Sequence, residues 1–434
     1  MEQDNREAPP PASASVLAAV GVVAIVGMVA LVFGTAVWYT ARADQPPKAP
    51  PVAPPDTPRT ANPQLHSRLL GSYRDAADFL AARQAGDGSW QVQSEMGPIS
   101  SPAYTGLVLA SLTGARPELQ APYRSKIEKG FAFLVGSQND DGSFAEAGGL
   151  MKTYATSVAL MAMSVDRGKY AGPIRNAQAW LKRHQTDAGF AAGGSGYGDK
   201  DFSLVDGAMQ PVEKKENMST TAFTAEAMQA SGLPEDDPYW ELVAKYMRAN
   251  QNFSETNDNK EMIAALEAAG YRVGDDGGFV YAFGQSKAAA DPGDPQVLRS
   301  YGSMTYAGLK VYVYAGLKKT DPEVKAAMGW IRSSFTVERH PGFEFDSGDR
   351  PDLQGLFYYY LMMAKCLDAY GERPLLLEDG STRDWPVELS EKLLSIQKDG
   401  TWVNENTRWW EGDPVMVTAY VLGIYNILLK HVTP

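Results

Sequence analysis

The sequence predicts an all-α fold, an (α/α)6 toroid of six helix-turn-helix repeats, preceded by one transmembrane helix and a Pro-rich linker. The first reason is a string that recurs. Gln84-Ala85-Gly86-Asp87-Gly88-Ser89-Trp90 returns as Gln138-Asn139-Asp140-Asp141-Gly142-Ser143-Phe144 and as Gln397-Lys398-Asp399-Gly400-Thr401-Trp402, with looser copies at Gln185 to Phe190, Asp275 to Phe279 and His340 to Phe343. The second is that helical apolar spacing stands before and after every copy, so the Asp-Gly pairs join two helices and not two strands. The third is that from Val16 to Trp38 no charge appears, and QPPKAPPVAPPDTPRTANP follows at 45–63.

Taken in order, residues 1–15 form a polar tail and 16–39 a span long enough to cross a bilayer, ending on Trp38 and Tyr39 at interfacial positions. A cleavable signal peptide is the competing reading, through Ala41-Arg42-Ala43, but the apolar run is long for one and the region before it is acidic. The expected localisation is therefore a single-pass membrane protein. Arg42, Lys48 and Arg59 after the span, against Arg6 before it, tilt the C-terminal part toward the cytoplasm and leave its side open. Residues 40–64 form an extended proline-rich arm.

The toroid domain is expected over 65–434. Its six units pair helices at 72–83 and 102–112, 127–134 and 154–163, 174–184 and 219–230, 237–250 and 303 onward, 321 onward and 353–370, and 387–396 and 413–429. Proline in the first turn marks the starts at Pro102, Pro238, Pro322 and Pro414. A short hairpin is expected around 278–283. The turn glycine accepts left-handed φ, the aromatic after it packs back on the preceding helix, and the glutamine stitches neighbouring units together; Asp87, Asp141 and Asp399 are thus structural.

A net charge of −12 without a basic block excludes nucleic acid as a partner. One cysteine, Cys366, excludes disulfides and zinc ribbons. The four histidines, His66, His184, His340 and His431, are scattered, and neither a metal site nor a cofactor is expected.

The string Gln-x-x-Asp-Gly-Ser-Trp resembles the repeat of squalene–hopene cyclases and of protein prenyltransferase β-subunits. The chain is most similar to bacterial prenyltransferase/squalene-oxidase repeat proteins with a single α/α toroid, in Gly194 to Gly198, Ser219-Thr220, Glu226 to Met228, Gly232 to Pro234, Asp236 to Pro238, Asp276 to Tyr281, Arg299 to Lys310, Gln354 to Tyr360 and Glu411 to Pro414. The resemblance spans about 70–430 and implies the toroid and an isoprenoid-type ligand. The Asp-x-Asp-Asp acid of the cyclases is missing; Asp236-Asp237-Pro238 stands where an outer helix is capped. Cys366 lacks the preceding Asp that a prenyltransferase zinc site implies.

If all six inner helices point one way, their N-termini converge on one mouth, with free N–H groups suited to an anion or a carbonyl-rich ligand. The ligand-binding candidates there are Tyr104, Tyr154, Tyr301, Tyr306, Tyr358, Tyr359 and Trp410, with long loops at 191–217 and 254–299 as lid or rim. Glu411, which shows no capping duty in the sequence, and Asp413 are the catalytic candidates; Asp206 and Glu226 are weaker acids. Three functions remain open. One is a membrane-anchored, terpene-cyclase-like toroid that binds an apolar or isoprenoid molecule in a central cavity. Another is a non-catalytic module for peptide, lipid or glycan. The third is a carbohydrate-active enzyme, which needs two facing carboxylates such as Glu411 with Asp206 or Glu344.

Overall fold

A computed structural model describes residues 60–434, apart from 95–96, 147–148, 150, 199–200, 206–207, 213–215, 290 and 345–348. The polar tail, the expected span at 16–39 and most of the proline-rich arm lie outside the described residues, as does Asp206. Among the described residues no helix is long and apolar enough to cross a membrane.

Twelve helices carry the ring. The odd-numbered ones are outer helices: α1 (Pro63–Ala82), α3 (Arg124–Gly136), α5 (Ala171–Arg183), α7 (Pro238–Ala249), α9 (Pro322–Ser334) and α11 (Trp385–Ser395). The even-numbered ones are inner helices: α2 (Pro102–Thr113), α4 (Lys152–Met163), α6 (Met218–Ser231), α8 (Gly302–Tyr314), α10 (Leu356–Tyr370) and α12 (Pro414–His431). Each inner helix packs on the next, from α2 to α12, and α12 packs back on α2, so the circle closes. The seam is finished by a two-residue parallel pairing of β1 (Thr60–Ala61) with β6 (Val432–Thr433).

The boundaries follow local chemistry. α1 starts nine residues earlier than the sequence reading placed it, because Pro63 occupies the first turn and the Asn62 side chain accepts from Leu65 N at 3.0 Å. The expected hairpin at 278–283 is only a pair of isolated bridges, Gln251–Phe279 and Ala282–Gln285. Hairpins occur instead before α2, where β2 (Trp90–Ser94) meets β3 (Gly97–Ser101), and before α6, where β4 (Asp201–Val205) meets β5 (Ala208–Val212). In β2 and β3, only Trp90, Val92 and Ile99 are large apolar residues, too few to show an alternating pattern. A helix at Lys260–Ala268 fills the loop of the fourth unit.

The glutamine stitch is real and runs from outer helix to outer helix. Gln84 Nε2 donates to Gly88 O at 2.9 Å within its own turn and to Lys126 O at 2.8 Å in α3. Gln138 does the same to Gly142 O and Pro173 O in α5, and Gln251 to Gly277 O and Glu323 O in α9. Gln397 crosses the seam, accepting from Ser72 Oγ in α1 at 2.7 Å. The third copy is longer than the sequence suggested: Gln185 bonds Gly193 O and Tyr239 O, so Gly193 is its turn glycine and Phe190 is left exposed. The fifth turn, which has no glutamine before it, faces backwards, with Gly342 against the Ser300 carbonyl. Close approach explains the glycines. A Cβ on Gly277, whose φ is +81°, would lie 2.3 Å from the Ala326 carbonyl oxygen in α9. The aromatics pack back as expected, Trp90 and Trp402 donating from Nε1 to Leu80 O and Leu393 O.

Candidate functional site: the mouth and bore of the ring

The inner-helix starts do converge, but their N–H groups are not free. Each of the first five is capped by the loop of the following unit. Glu146 Oε1 accepts from Ala103 N at 3.0 Å and Ser101 Oγ at 2.8 Å at the head of α2. The Tyr197 carbonyl takes Thr153 N of α4, and the Tyr281 carbonyl takes Met218 N of α6. His340 Nε2 accepts from Ser303 N of α8 at 2.8 Å, while its Nδ1 donates to Gln354 O at 2.6 Å. Glu411 accepts from Tyr358 N at 2.7 Å and Phe357 N at 3.3 Å of α10, and from Asn404 Nδ2 at 2.6 Å. α12 is capped by its own residue, Asp413, which accepts from Val415 N and Met416 N, as Ser101 and Asn217 also accept from Tyr104 N and Thr220 N at the heads of α2 and α6. The mouth therefore offers no ring of free helix dipoles to an anion. Glu411, read as having no capping duty, caps its neighbour.

These caps are electrostatically marked. Glu411 is buried, and burial raises its carboxyl to about 7 against the pull of its N–H donors. Burial likewise keeps His340 neutral, lowering it to about 4. Glu146 is raised by burial too.

Periodicity shows which side chains face the axis. In α2, α4, α6 and α8 a threonine one turn in accepts the backbone N–H of the turn segment outside: Thr105 from Trp90, Thr156 from Phe144, Thr221 from Ser195 and Thr305 from Phe279. At 100° per residue, the position two before each threonine points the opposite way, to the bore, and so does the position seven further on. Contacts across the ring confirm this. Ser219 of α6 donates to the Tyr358 hydroxyl of α10 at 3.0 Å, and Phe223 stacks on Tyr358 at 6.1 Å, although α8 stands between these two helices.

Of the sequence candidates, Tyr154 and Tyr358 meet in this layer. Tyr154 shares a 2.5 Å hydrogen bond with Ser219 and packs edge-on to Phe223, and Tyr420 leans on Tyr358 at 6.5 Å. Tyr104 lies beside Asp413, and burial first, then that carboxylate, holds its phenol un-ionised. Tyr301 is buried between this cluster and His340 and Phe343. Tyr306 and Tyr359 do not join it: they pack on each other between α8 and α10, and Tyr359 donates to Thr336 O behind them. Trp410 is exposed on the rim beside Trp409, both at left-handed φ of 62° and 63°. Such backbone costs about 1–2 kcal/mol per residue for a large side chain. Lys287 covers Tyr281 at 4.2 Å and Trp409 at 5.5 Å. The two long loops supply the Tyr197 and Tyr281 caps and touch through Phe190 and Phe283, forming the rim.

Seven residues below the first layer is a second. Its members are Ala110, Met161, Glu226, Lys310, Lys365 and Gly423, one from each inner helix. Lys310 Nζ donates to Glu226 Oε2 at 2.6 Å, and Lys365 of α10 reaches Glu226 Oε1 past α8. Sequence reading counted Glu226 as a weak acid candidate and missed both lysines; the seven-residue offset from Ser303 and Tyr358 is the signal that finds them. Burial works against the Glu226 charge, but the two lysines, ahead of hydrogen bonding, hold its carboxyl below the usual carboxylate range, while burial lowers Lys310 in turn. Glu344, by contrast, is exposed and paired with Arg299 at 3.6 Å, so it does not face the buried Glu411 as a glycosidase pair requires.

One cavity of about 410 Å³ lies off the bore, between Asp276, Trp330, Arg332 and Leu376 to Glu378. Among the described residues no cluster of three His, Cys, Asp or Glu could hold a metal ion.

No protein-family model matches the chain, and none of the curated proteins does. Solved structures do. A variant of the type II terpene cyclase MstE from Scytonema, in complex with merosterolic acid A, is 12% identical, with a TM-score of 0.51 over 85% of this chain and 99% of that one. The same enzyme without ligand is 14% identical, with a TM-score of 0.50 over 85% and 98%. A glycosidase in complex with glucose, 10% identical over 86% of this chain and all of that one, has a TM-score of 0.47. At these identities the likeness is one of fold, and the fold this chain shares with the terpene cyclase is the closed ring of paired helices.

Proposed function

We propose that the ring binds an apolar, isoprenoid-type molecule that enters at the aromatic mouth, and that the uncharged stretch 16–39 anchors it to a membrane. The observation that carries the binding reading is the accessibility left on the inner helices. Their outer faces pack on outer helices and their flanks on each other, yet Leu107, Ala110, Met161, Tyr420 and Gly423 stay partly accessible, all on the axis-facing stripe of α2, α4 and α12. That stripe is mostly apolar, and Tyr154, Ser219, Phe223 and Tyr358 pack together at the mouth above it. An entering chain displaces this aromatic cluster, so the tyrosines act as a gate.

The reading is binding in preference to acid-initiated cyclisation. Glu411 is occupied as a cap, Asp413 caps α12, and Glu226 is neutralised by two lysines. The terpene cyclase of the same fold binds merosterolic acid A, a ligand compatible with this class. The test is extraction of lipid from the purified full chain with identification by mass, together with turnover assays on polyprenyl substrates. Recovery of a prenyl lipid without turnover supports the reading. Turnover would make the chain an enzyme, and neither recovery nor binding of added prenyl lipid would overturn the proposal. A phosphatase fused after Pro434 reports on which side of the membrane the ring lies.

A further inference from the structure

The second layer of the bore is divided. On α6, α8 and α10 it holds Glu226, Lys310 and Lys365; on α12, α2 and α4 it holds Gly423, Ala110 and Met161, the first two being the smallest side chains available. A layer closed for stability alone would fill that side, since empty space beside buried groups forfeits packing. A Cβ placed on Gly423 would make only an ordinary contact, with Leu361 Cδ1 at 3.7 Å, and Ala110 and Gly423 both stay partly accessible. The charged side is also unbalanced. One carboxylate faces two ammonium groups, each with three donors. Lys310 is fully buried and spends its donors on Glu226 and, weakly, on Met362 Sδ at 3.5 Å. Lys365 bonds Glu226 and keeps 22% of its side chain accessible.

We propose that this layer is the seat of a singly charged anionic head group, a carboxylate at the end of the apolar molecule, held by Lys365 in the space that Ala110 and Gly423 leave open. The proposal rests on the binding reading above and names the class of ligand it takes: a prenyl acid in preference to a prenyl alcohol or hydrocarbon. The layer lies about 10 Å below the mouth tyrosines, seven residues at 1.5 Å each, so the head group enters first and the tail fills the aromatic end. Lys365 touches the ligand. Glu226 and Lys310 position it: Glu226 anchors Lys365, and Lys310 offsets the Glu226 charge so that the carboxylate is not repelled.

The experiment compares geranylgeranoic acid with geranylgeraniol, equal in chain length, by calorimetric titration of the purified full chain in a non-ionic detergent. The acid is expected to bind at least tenfold more tightly. Lys365→Gln is expected to bring the two within threefold of each other by weakening the acid alone, and Lys365→Arg to restore much of the preference. Ala110→Leu leaves the charges in place and fills the opening; it is expected to abolish acid binding. Melting curves separate these effects from unfolding. Equal affinity for acid and alcohol in the unaltered chain, or a Lys365→Gln variant that weakens both alike, overturns the anionic seat and leaves the isoprenoid reading intact. Failure of both probes to bind overturns both.

Discussion

Two of the caps at the mouth titrate in opposite directions, and this can be measured as stability. The Glu411 carboxyl rises from 4.5 to about 7 on folding, because burial outweighs its N–H donors. The folded state therefore holds that proton more tightly, and the stability it contributes is complete below pH 4.5 and lost as pH rises to about 7. His340 falls from 6.5 to about 4, so its contribution is complete above 6.5 and lost as pH falls toward 4. Each change spans about 2.5 pH units, which at about 1.4 kcal/mol per unit is about 3 kcal/mol. The two windows nearly coincide and the signs oppose, so in the unaltered chain they cancel. Glu411→Gln should unmask His340: urea unfolding should show stability falling by about 3 kcal/mol from pH 7 to pH 4.5, relative to the unaltered chain. His340→Gln should unmask Glu411, with stability falling by a similar amount from pH 4.5 to pH 7. Referring each variant to the unaltered chain at each pH removes the titrations they share. Parallel pH profiles for all three chains would refute the assignment of Glu411 and His340 as buried, oppositely shifted caps.

Three further outcomes follow from the stitching and the gate. Gln251→Leu removes hydrogen bonds to Gly277 O and Glu323 O and leaves the Tyr312 hydroxyl without its acceptor, and should cost about 2–4 kcal/mol by thermal melting. Gly277→Ala should lower Tm far more than Gly316→Ala: both glycines have φ of +81°, but only the first would drive a Cβ into a neighbouring carbonyl, so equal losses would show that backbone strain alone decides. Tyr358→Ala opens the aromatic mouth and should speed association of a prenyl probe in stopped-flow fluorescence by about tenfold, whereas an unchanged rate would show that the tyrosines are filling and not a gate.

The ring was legible in the sequence because its causes are local. Pro102, Pro238, Pro322 and Pro414 sit in first turns, and the Gln-to-Gly spacing of the turns recurs. Where insertions stretch that spacing, as between Gln185 and Gly193, the reading slipped to Gly189. The caps were illegible for a different reason. Ala103 and Glu146 are 43 residues apart, Ser303 and His340 are 37, and Tyr358 and Glu411 are 53, so each looks like an ordinary loop residue until the circle brings the next unit alongside. Tyr306 and Tyr359 were misplaced because helical spacing reveals which residues share a face but not which face is inward. The threonines at 105, 156, 221 and 305 supply that missing reference, and with it the second layer can be read off the sequence.

The seam between β1 and β6 brings Ala61 and Thr433 side by side, with Gln397 of the last unit already fastened to Ser72 of the first. Topologically the polymer is a necklace whose clasp is one interchangeable joint among six. A gene re-cut within another inter-unit turn, with residues 433 and 60 joined by a short linker, should give a permuted protein that folds to the same circle, and the position of the clasp would then decide only where a tether leaves it.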